Sequence, residues 1–384
     1  MYLEKIQFRN FRNLQDVVFS PSPGFNILIG NNAQGKTNII ESIYMFAHGR
    51  SFRTSEFRDL VAHGQLISEV KLRACGRAGF DDLALRMDDG KKEFFKNEKK
   101  IRVGIKSPFS AVIFAPEEIL LLKGPPSGRR KYLDLLVNQV SPTHMTLVRK
   151  CERVILQRNG IIQNEDLSKF RKLELLGPWD EQLVLLGAKI IDERSSWLKK
   201  LGRILPEKYR AIASNDGEAA WKYIPQCGAD VLGFERQKIE TRLFDLIKSR
   251  RDDEFSRKTT LVGPHRDDLE ALIGGVCVKS FGSQGQHRTF VLALKIAEIE
   301  FLKAETGCVP ILLLDDVMSE LDSDRNNYLF DYLKMLDGQA FITTTSNNEA
   351  IISSNRPPFI FDVAGGNIIP RKRQIIAVCA SPIP

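Results

Sequence analysis

The segment Gly30-Asn31-Asn32-Ala33-Gln34-Gly35-Lys36-Thr37 constrains this chain more than any other part of it. It fits G-x-x-x-x-G-K-[ST], and its setting fits too: the apolar run Phe25–Ile29 precedes it and a segment of helical periodicity, Thr37–Ala47, follows. A loop of this kind wraps phosphate. Its glycines let backbone N–H groups close around the oxygens with no Cβ in the way. The next helix aims its positive end at the same anion. Lys36 is expected to reach the β- and γ-phosphates of ATP, and Thr37 to hold Mg²⁺ through its hydroxyl. Asn38 extends the nucleotide-binding set into the first helical turn.

Far along the chain, Ile311-Leu312-Leu313-Leu314-Asp315-Asp316 places two carboxylates after four aliphatics. A buried strand ending in an acid is what a Walker B element needs: Asp315 is expected at the metal, and Asp316 is placed to polarise the attacking water. The catalytic pair read from the sequence is therefore Asp316 and Lys36, with Thr37 and Asp315 at the metal. The two halves lie about 280 residues apart, so an insertion must loop out and return.

The pattern along the chain says what that insertion contains. Tyr2, Ile6 and Phe8 share one parity, and Lys5, Gln7 and Arg9 the other, which predicts a strand. Residues 66–74, 82–87 and 93–103 alternate between turn signals at Gly76, Gly79 and Asp89–Gly90 and predict an antiparallel meander. After Pro116 the pattern turns helical as far as Lys248, with helices over Arg129–Val140, Trp179–Leu201 and Val231–Lys248. Breaks are expected at Gly124–Pro126, Gly177–Pro178 and Pro225. Strand character returns at Thr259–Val262 and at Leu269–Val278, the latter with a hairpin turn at Gly274–Gly275. A helix from Gln284 to Lys303 then presents Phe290, Leu294, Ala297 and Phe301 on one face. Strand and helix alternate to the end, as in a parallel sheet. The expected fold is α/β: a P-loop head with a mixed sheet and an inserted helical lobe. Its parts are 1–116, an insertion 117–255, and 256–384.

Between the insertion and the acidic strand lies Phe281-Gly282-Ser283-Gln284-Gly285-Gln286. Ser283-Gln284-Gly285-Gln286 resembles the signature motif of ABC-type ATPases, Ser319-Glu320-Leu321-Asp322 resembles their D-loop, and Thr343-Thr344-Thr345 follows where that superfamily has its switch residue, with Thr345 the candidate. Asn10–Asn13, Gly49–Thr54, Phe114–Glu117 and Gly263–Asp268, in this order with Asp315-Asp316, resemble the RecF family more narrowly. The likeness covers essentially the whole chain, and the short insertion fits RecF better than its long coiled-coil relatives. It implies an ABC-type head in which Ser283–Gln286 of one copy contacts the γ-phosphate held by Gly30–Thr37 of another, so that ATP joins two heads. It further implies an ATP-dependent homodimer that binds DNA, single-stranded, gapped or at duplex junctions. Slow ATP hydrolysis, partners like RecO and RecR, recombinase loading in repair and fork maintenance, and SOS induction go with it. Asp316 stands where ABC ATPases commonly have Glu, and this suggests slow turnover.

Composition agrees with a polyanion partner: the net charge is +8. Basic runs occur at Lys91–Lys92, Lys96–Lys100, Arg129–Lys131, Lys248–Arg251 and Arg371–Arg373. Phosphate contacts made by such runs carry little sequence preference. The six cysteines are scattered without metal-ligand spacing, and the N-terminus has no apolar signal core, so a cytoplasmic protein with no membrane association is expected. An ABC transporter's ATPase subunit shares the nucleotide motifs but needs a Q-loop and a switch histidine, and neither is evident. A small-molecule P-loop kinase has no use for the signature or the D-loop.

Overall fold

The alternation from Tyr2 forms strand β1 (Tyr2–Arg9), with Ile6 and Phe8 buried and Lys5 and Gln7 exposed. Leu3 is also buried, on the opposite parity, because a register shift between Leu3 and Lys5 resets the pleat. The computed structural model describes residues 1–76, 79–88, 90–102, 107–213, 216–233, 235–345 and 358–371. In it β2 (Val17–Phe19) is followed by β3 (Phe25–Ile29), which leads into the glycine loop, and by helix α1 (Lys36–His48). Next comes the meander β4 (Ser68–Gly76), β5 (Gly79–Asp88), β6 (Lys91–Lys96) and β7 (Lys99–Ile101). The single strand expected over 93–103 is corrected here. Asn97 and Glu98, with φ of 48° and 64°, turn the chain between β6 and β7. Asp89 and residue 103 lie outside the described residues.

Strand β8 (Ala111–Phe114) precedes four helices: α2 (Leu120–Lys123), α3 (Pro126–Val140), α4 (His144–Gln163) and α5 (Lys169–Ile212). The break at Gly124–Pro126 is present, with Pro126 in the first turn of α3. The break expected at Gly177–Pro178 is not: α5 runs for 44 residues through Pro178 and Pro206. An interior proline costs a helix about 3 kcal/mol. Burial of Leu183, Ile191, Leu198, Leu201 and Leu205 on the same helix offsets this, since each large apolar side chain contributes about 1.5–3 kcal/mol when fully buried.

Helical periodicity also hid a strand, β9 (Ala219–Ile224), which stops at Pro225. Helices α6 (Arg236–Ser249) and α7 (Arg251–Arg257) follow. Thr259–Val262, expected as a strand, is coil. Its polar groups are taken by side chains: Thr260 donates through N–H and hydroxyl to Asn159 Oδ1, both at 2.7 Å, and accepts from Arg158 at 2.7 Å. The hairpin about Gly274–Gly275 forms between β10 (Asp268–Ile273) and β11 (Val276–Cys277). After α8 (Val278–Phe281) and α9 (Gln284–Thr306) come β12 (Ile311–Leu314), α10 (Val317–Glu320), α11 (Ser323–Met335) and the strands β13 (Ala340–Thr344), β14 (Phe359–Ala364) and β15 (Asn367–Pro370).

Three sheets result. Strands β2-β1-β4-β5-β6-β7 form an antiparallel sheet, and β11-β10-β9 a smaller one. The third has the order β15-β14-β3-β13-β12-β8 and is parallel except for β15, so the sheet is mixed. Successive residues of β12 enter different cores. Ile311 and Leu313 pack with α1 and the antiparallel sheet; Leu312 and Leu314 pack with the helical side, including α5, α9 and α11. A parallel strand buried on both faces reads as an unbroken aliphatic run for this reason. β9 pairs with β10 along its length, so residues 117–255 and 256–384 share a sheet. Among the described residues the five cysteines are free, no three His, Cys, Asp or Glu side chains converge, and no helix is long and apolar enough to cross a membrane. Cys379, Lys372 and Arg373 lie outside the described residues.

Candidate functional site: a nucleotide site at the ends of the parallel strands

The glycine loop leaves the carboxyl end of β3, beside β13 and, one strand further, β12. Open parallel sheets place ligands at this edge. Gly30 is there because its neighbour is too close for a side chain: a Cβ would lie 2.1 Å from the Val363 carbonyl oxygen. Gly35 has φ of 115°, and a Cβ on it would meet Asn13 Oδ1 at 2.9 Å. Having no side chain, it also leaves the first turn of α1 without a side-chain cap. Asn31, Asn32 and Ala33 are exposed, and Gln34 is tied back where Gly365 N–H donates to its side chain at 2.6 Å and Gly366 N–H to its carbonyl at 3.1 Å. An uncapped helix start below an open loop fits an anion.

Lys36 is buried and its ammonium donates to the Gly30 and Asn31 carbonyls at 2.6 and 2.9 Å. An ammonium has three donors, which leaves a third for a phosphate oxygen. Burial lowers its pKa from the usual lysine value, and the charges of Asp316 and Asp315 oppose that. Both carboxylates therefore lie within electrostatic range of Lys36. Thr37 Oγ1 donates to Asp315 Oδ1 at 2.9 Å across 278 residues of chain. Thr343 Oγ1 donates to the same oxygen at 2.8 Å and accepts from the Asp316 N–H at 2.9 Å. A hydroxyl and a carboxylate side by side fit a hard divalent ion that draws its other ligands from phosphate and water. Asp316 lies beyond β12, in the left-handed region at φ 48°, and starts α10.

Thr343 was not singled out in the sequence; it is buried on β13, whereas the candidate Thr345 is exposed just beyond the strand. Glu41 was missed altogether. It is fully buried on α1 and accepts from Arg12 at 2.5 and 2.7 Å and from the Ser51 hydroxyl, with Arg53 at 3.7 Å. The segments Asn10–Asn13 and Gly49–Thr54 thus converge on one carboxylate behind the loop. A lone acid within the apolar stretch Ile39-Ile40-Glu41-Ser42-Ile43 was the available signal. Asn38 bridges the same two segments, donating to Asn13 at 2.7 Å and accepting from Arg53 at 2.9 Å. Gly30→Ala is expected to destabilise the protein by about 1–3 kcal/mol through overpacking and to weaken nucleotide binding. Urea denaturation and titration with a fluorescent nucleotide read the two effects.

Ser283 caps α9 with a capping box: Gln286 N–H donates to Ser283 Oγ at 3.1 Å, and Ser283 N–H donates to Gln286 Oε1 at 2.9 Å. The Ser283 hydroxyl accepts in the cap, so its proton stays available to another acceptor. Ser283 and Gln284 are exposed, Gly285 and Gln286 half-buried, and no hydrogen bond joins them to Gly30–Asn38 among the described residues. Two arginines fasten this turn to the Ser319–Asp322 loop. Arg325 donates to Thr289 Oγ1 at 2.7 Å and pairs with Asp322, and Arg288 reaches Glu320 at 3.3 Å. Gly263–Asp268 has a structural place: Asp268 pairs with Arg129 at 2.8 Å, and buried Asp267 accepts from Tyr223 and from Gln226 N–H at 2.8 Å.

The profile of the family described as the RecF/RecN/SMC N terminal domain matches residues 2–365. The DNA replication and repair protein RecF of Symbiobacterium thermophilum is 38% identical over 357 residues, spanning 92% of this chain and 93% of the relative. That of Lactobacillus delbrueckii subsp. bulgaricus is 36% identical over 377 residues, spanning 98% and 99%. Among solved structures, the recombination mediator protein RecF with ATP in the RecFOR pathway superposes with a TM-score of 0.88 at 31% identity, over 97% of this chain and 98% of that one. The Smc head bound to the C-winged helix domain of ScpA, at 16% identity and a TM-score of 0.53, shares the fold.

Proposed function

The chain belongs to the RecF family of SMC-type ATPases, and from that premise we propose that it is an ATP-gated DNA clamp of recombinational repair and replication-fork maintenance. The observation that carries the reading is the meeting of Thr37 and Asp315 at 2.9 Å, with Lys36 and Asp316 beside them, from segments 278 residues apart. The loop N–H groups and Lys36 bind the phosphates of ATP, as the ATP complex of the RecF relative supports. Thr37 and Asp315 hold Mg²⁺, which when bound neutralises charge developing on the transferred phosphoryl group. Asp316 accepts a proton from, or orients, the attacking water.

One copy does not complete the site. Ser283 offers its hydroxyl proton, and with Gln284, Gly285 and Gln286 it presents the positive start of α9 to the γ-phosphate held by a second copy. Phe281, 78% exposed immediately before this turn, supports a surface that another chain covers. ATP thereby closes a two-fold dimer around single-stranded, gapped or junction DNA, and slow hydrolysis opens it. RecO- and RecR-like mediators act with it in recombinase loading and SOS induction, in line with the RecFOR pathway of the solved relative.

Ser283→Arg tests the reading. It is expected to keep ATP binding while losing the ATP-dependent dimer, read by sedimentation with and without ATP. A variant that still dimerises with ATP as the unaltered chain does would remove Ser283 from the interface.

A further inference from the structure

The end of α1 opposite the glycine loop meets helices α3, α4 and α5 at two cavities. One, of about 390 Å³, lies between Tyr44 and Phe52 on one side and Leu135 and Gln139 of α3 on the other. The other, of about 270 Å³, lies among the three helices. Arg50 and Lys131 line both, so their side chains form the partition.

Charge at this partition is unbalanced. Lys92 of β6, Lys131 of α3 and Arg149 of α4 all lie within electrostatic range of Arg50. Among the described residues none of these four cations forms an ion pair. Several other members of the basic runs are neutralised internally: Arg129 by Asp268 and Lys96 by Asp81, each at 2.8 Å, Arg251 by Asp180, and Arg371 by Asp362 at 2.7 Å. Of the acids near the partition, Asp134 is already bound by Arg194 and His144, and Glu118 and Glu298 by Lys295, which leaves Glu152 within range of Arg50 and Arg149. Burial, and then repulsion from Arg50, lowers the pKa of both Lys92 and Lys131 from the usual lysine value.

Two donors in the larger cavity lack acceptors. Arg50 Nη2 and Gln139 Nε2 are buried without a hydrogen bond, while Gln139 Oε1 accepts from Ala111 N–H at 2.9 Å. Leaving such a donor unpaired costs about 1–3 kcal/mol. Water can accept from each, but water does not offset four like charges; an anion does both.

We propose that the Arg50–Lys131 partition is a phosphate-binding site for the backbone of a nucleic-acid strand. Arg50 is its half-buried floor and exposed Lys131 its wall, with Lys92 and Arg149, both exposed, within electrostatic range of Arg50. A planar guanidinium suits a phosphate, and lysines around it add charge without demanding one geometry. The assignment rests on the DNA-binding reading above and says where the strand lies. It also gives the strand a route to the nucleotide: α1, 13 residues long, spans about 20 Å from Arg50 to Lys36.

The test is fluorescence anisotropy of a labelled gapped duplex with ATP over a series of salt concentrations. Arg50→Gln/Lys131→Gln is compared with the unaltered chain and with Lys199→Gln/Arg203→Gln, two exposed cations of α5 far from the partition in sequence. Loss of two phosphate contacts is expected to make the log–log salt slope shallower by about 1.4 on single-stranded gap DNA and to lower affinity on the order of ten-fold. The α5 variant is expected to keep its slope. If the double variant melts early, Lys131→Gln alone, at an exposed position, is expected to show half the slope change. An unchanged slope and affinity in both overturns the proposal. Inorganic phosphate raising the melting temperature of the unaltered chain but not of the double variant, with DNA binding untouched, identifies a free-phosphate site and overturns the nucleic-acid assignment. Failure of the unaltered chain itself to bind DNA at any salt removes the broader reading, and this site with it, and is recognised because no variant is needed to see it.

Discussion

On the proposed reading, Asp316→Asn is expected to lower the ATP hydrolysis rate on the order of 10²–10⁴-fold, the usual contribution of a positioned general base, while nucleotide binding and the proposed ATP-dependent dimer are expected to persist. The geometry separates these outcomes. In that reading binding rests on the loop, on Lys36 and on the Thr37–Asp315 pair, whose hydrogen bonds the substitution leaves in place. The amide keeps the size of the carboxylate, so the Asp316 N–H can still donate to Thr343 Oγ1 at 2.9 Å and the left-handed backbone at φ 48° is still available, since asparagine tolerates that region. What is lost is a proton acceptor and a negative charge in range of Lys36. Single-turnover hydrolysis and sedimentation with ATP check the two halves. A variant that turns over at the unaltered rate would show that water is activated elsewhere, and one that fails to bind ATP would show that the carboxylate holds the nucleotide.

The second large effect lies far from the nucleotide. Arg158→Met is expected to destabilise the fold by about 3–5 kcal/mol, read by urea denaturation. Arg158 is fully buried. It donates to Asp180 at 2.9 Å, to Glu254 at 2.9 Å and to the Thr260 hydroxyl at 2.7 Å, joining α4, α5, α7 and the coil at Thr259–Val262. Removal leaves Glu254, itself fully buried, with one neutral donor, the Leu261 N–H at 2.9 Å, and a marginal 3.5 Å contact from Arg251 as its sole remaining cation among the described residues. The cost is that of an uncompensated buried carboxylate rather than the worth of the ion pair. For the same reason Arg158→Met/Glu254→Leu is expected to recover part of the loss, because paired removal takes the stranded charge away. A double variant as unstable as the single one would place the effect in packing instead.

The same cluster explains why one sequence expectation failed. Thr259–Val262 has strand-like composition, yet its hydrogen bonds go to Asn159, Arg158 and Glu254, residues brought near only by the packing of α4 and α7. Pro178 is a comparable case: its local cost is real, and burial along α5 outweighs it. The strand β9 was hidden because six residues next to long helical patterns carry little signal until β10 lies beside them.

What the linear chain determined by itself is whatever depends on neighbours within a few residues. The glycine loop, the uncapped start of α1, the cap that Ser283 and Gln286 make for each other and the aliphatic run of β12 are all of this kind, since steric limits and hydrogen bonds within one turn or one strand produce them. Tertiary structure alone decided what depends on separation in space: that Thr343 rather than Thr345 meets Asp315, that Glu41 gathers Arg12 and Ser51, and that Lys92 and Lys131 stand unpaired around Arg50 while Arg129 does not. A charged or hydroxyl side chain has no partner written next to it in sequence. Its role is set by the field and the donors around it, and those exist only once the sheets and helices have closed.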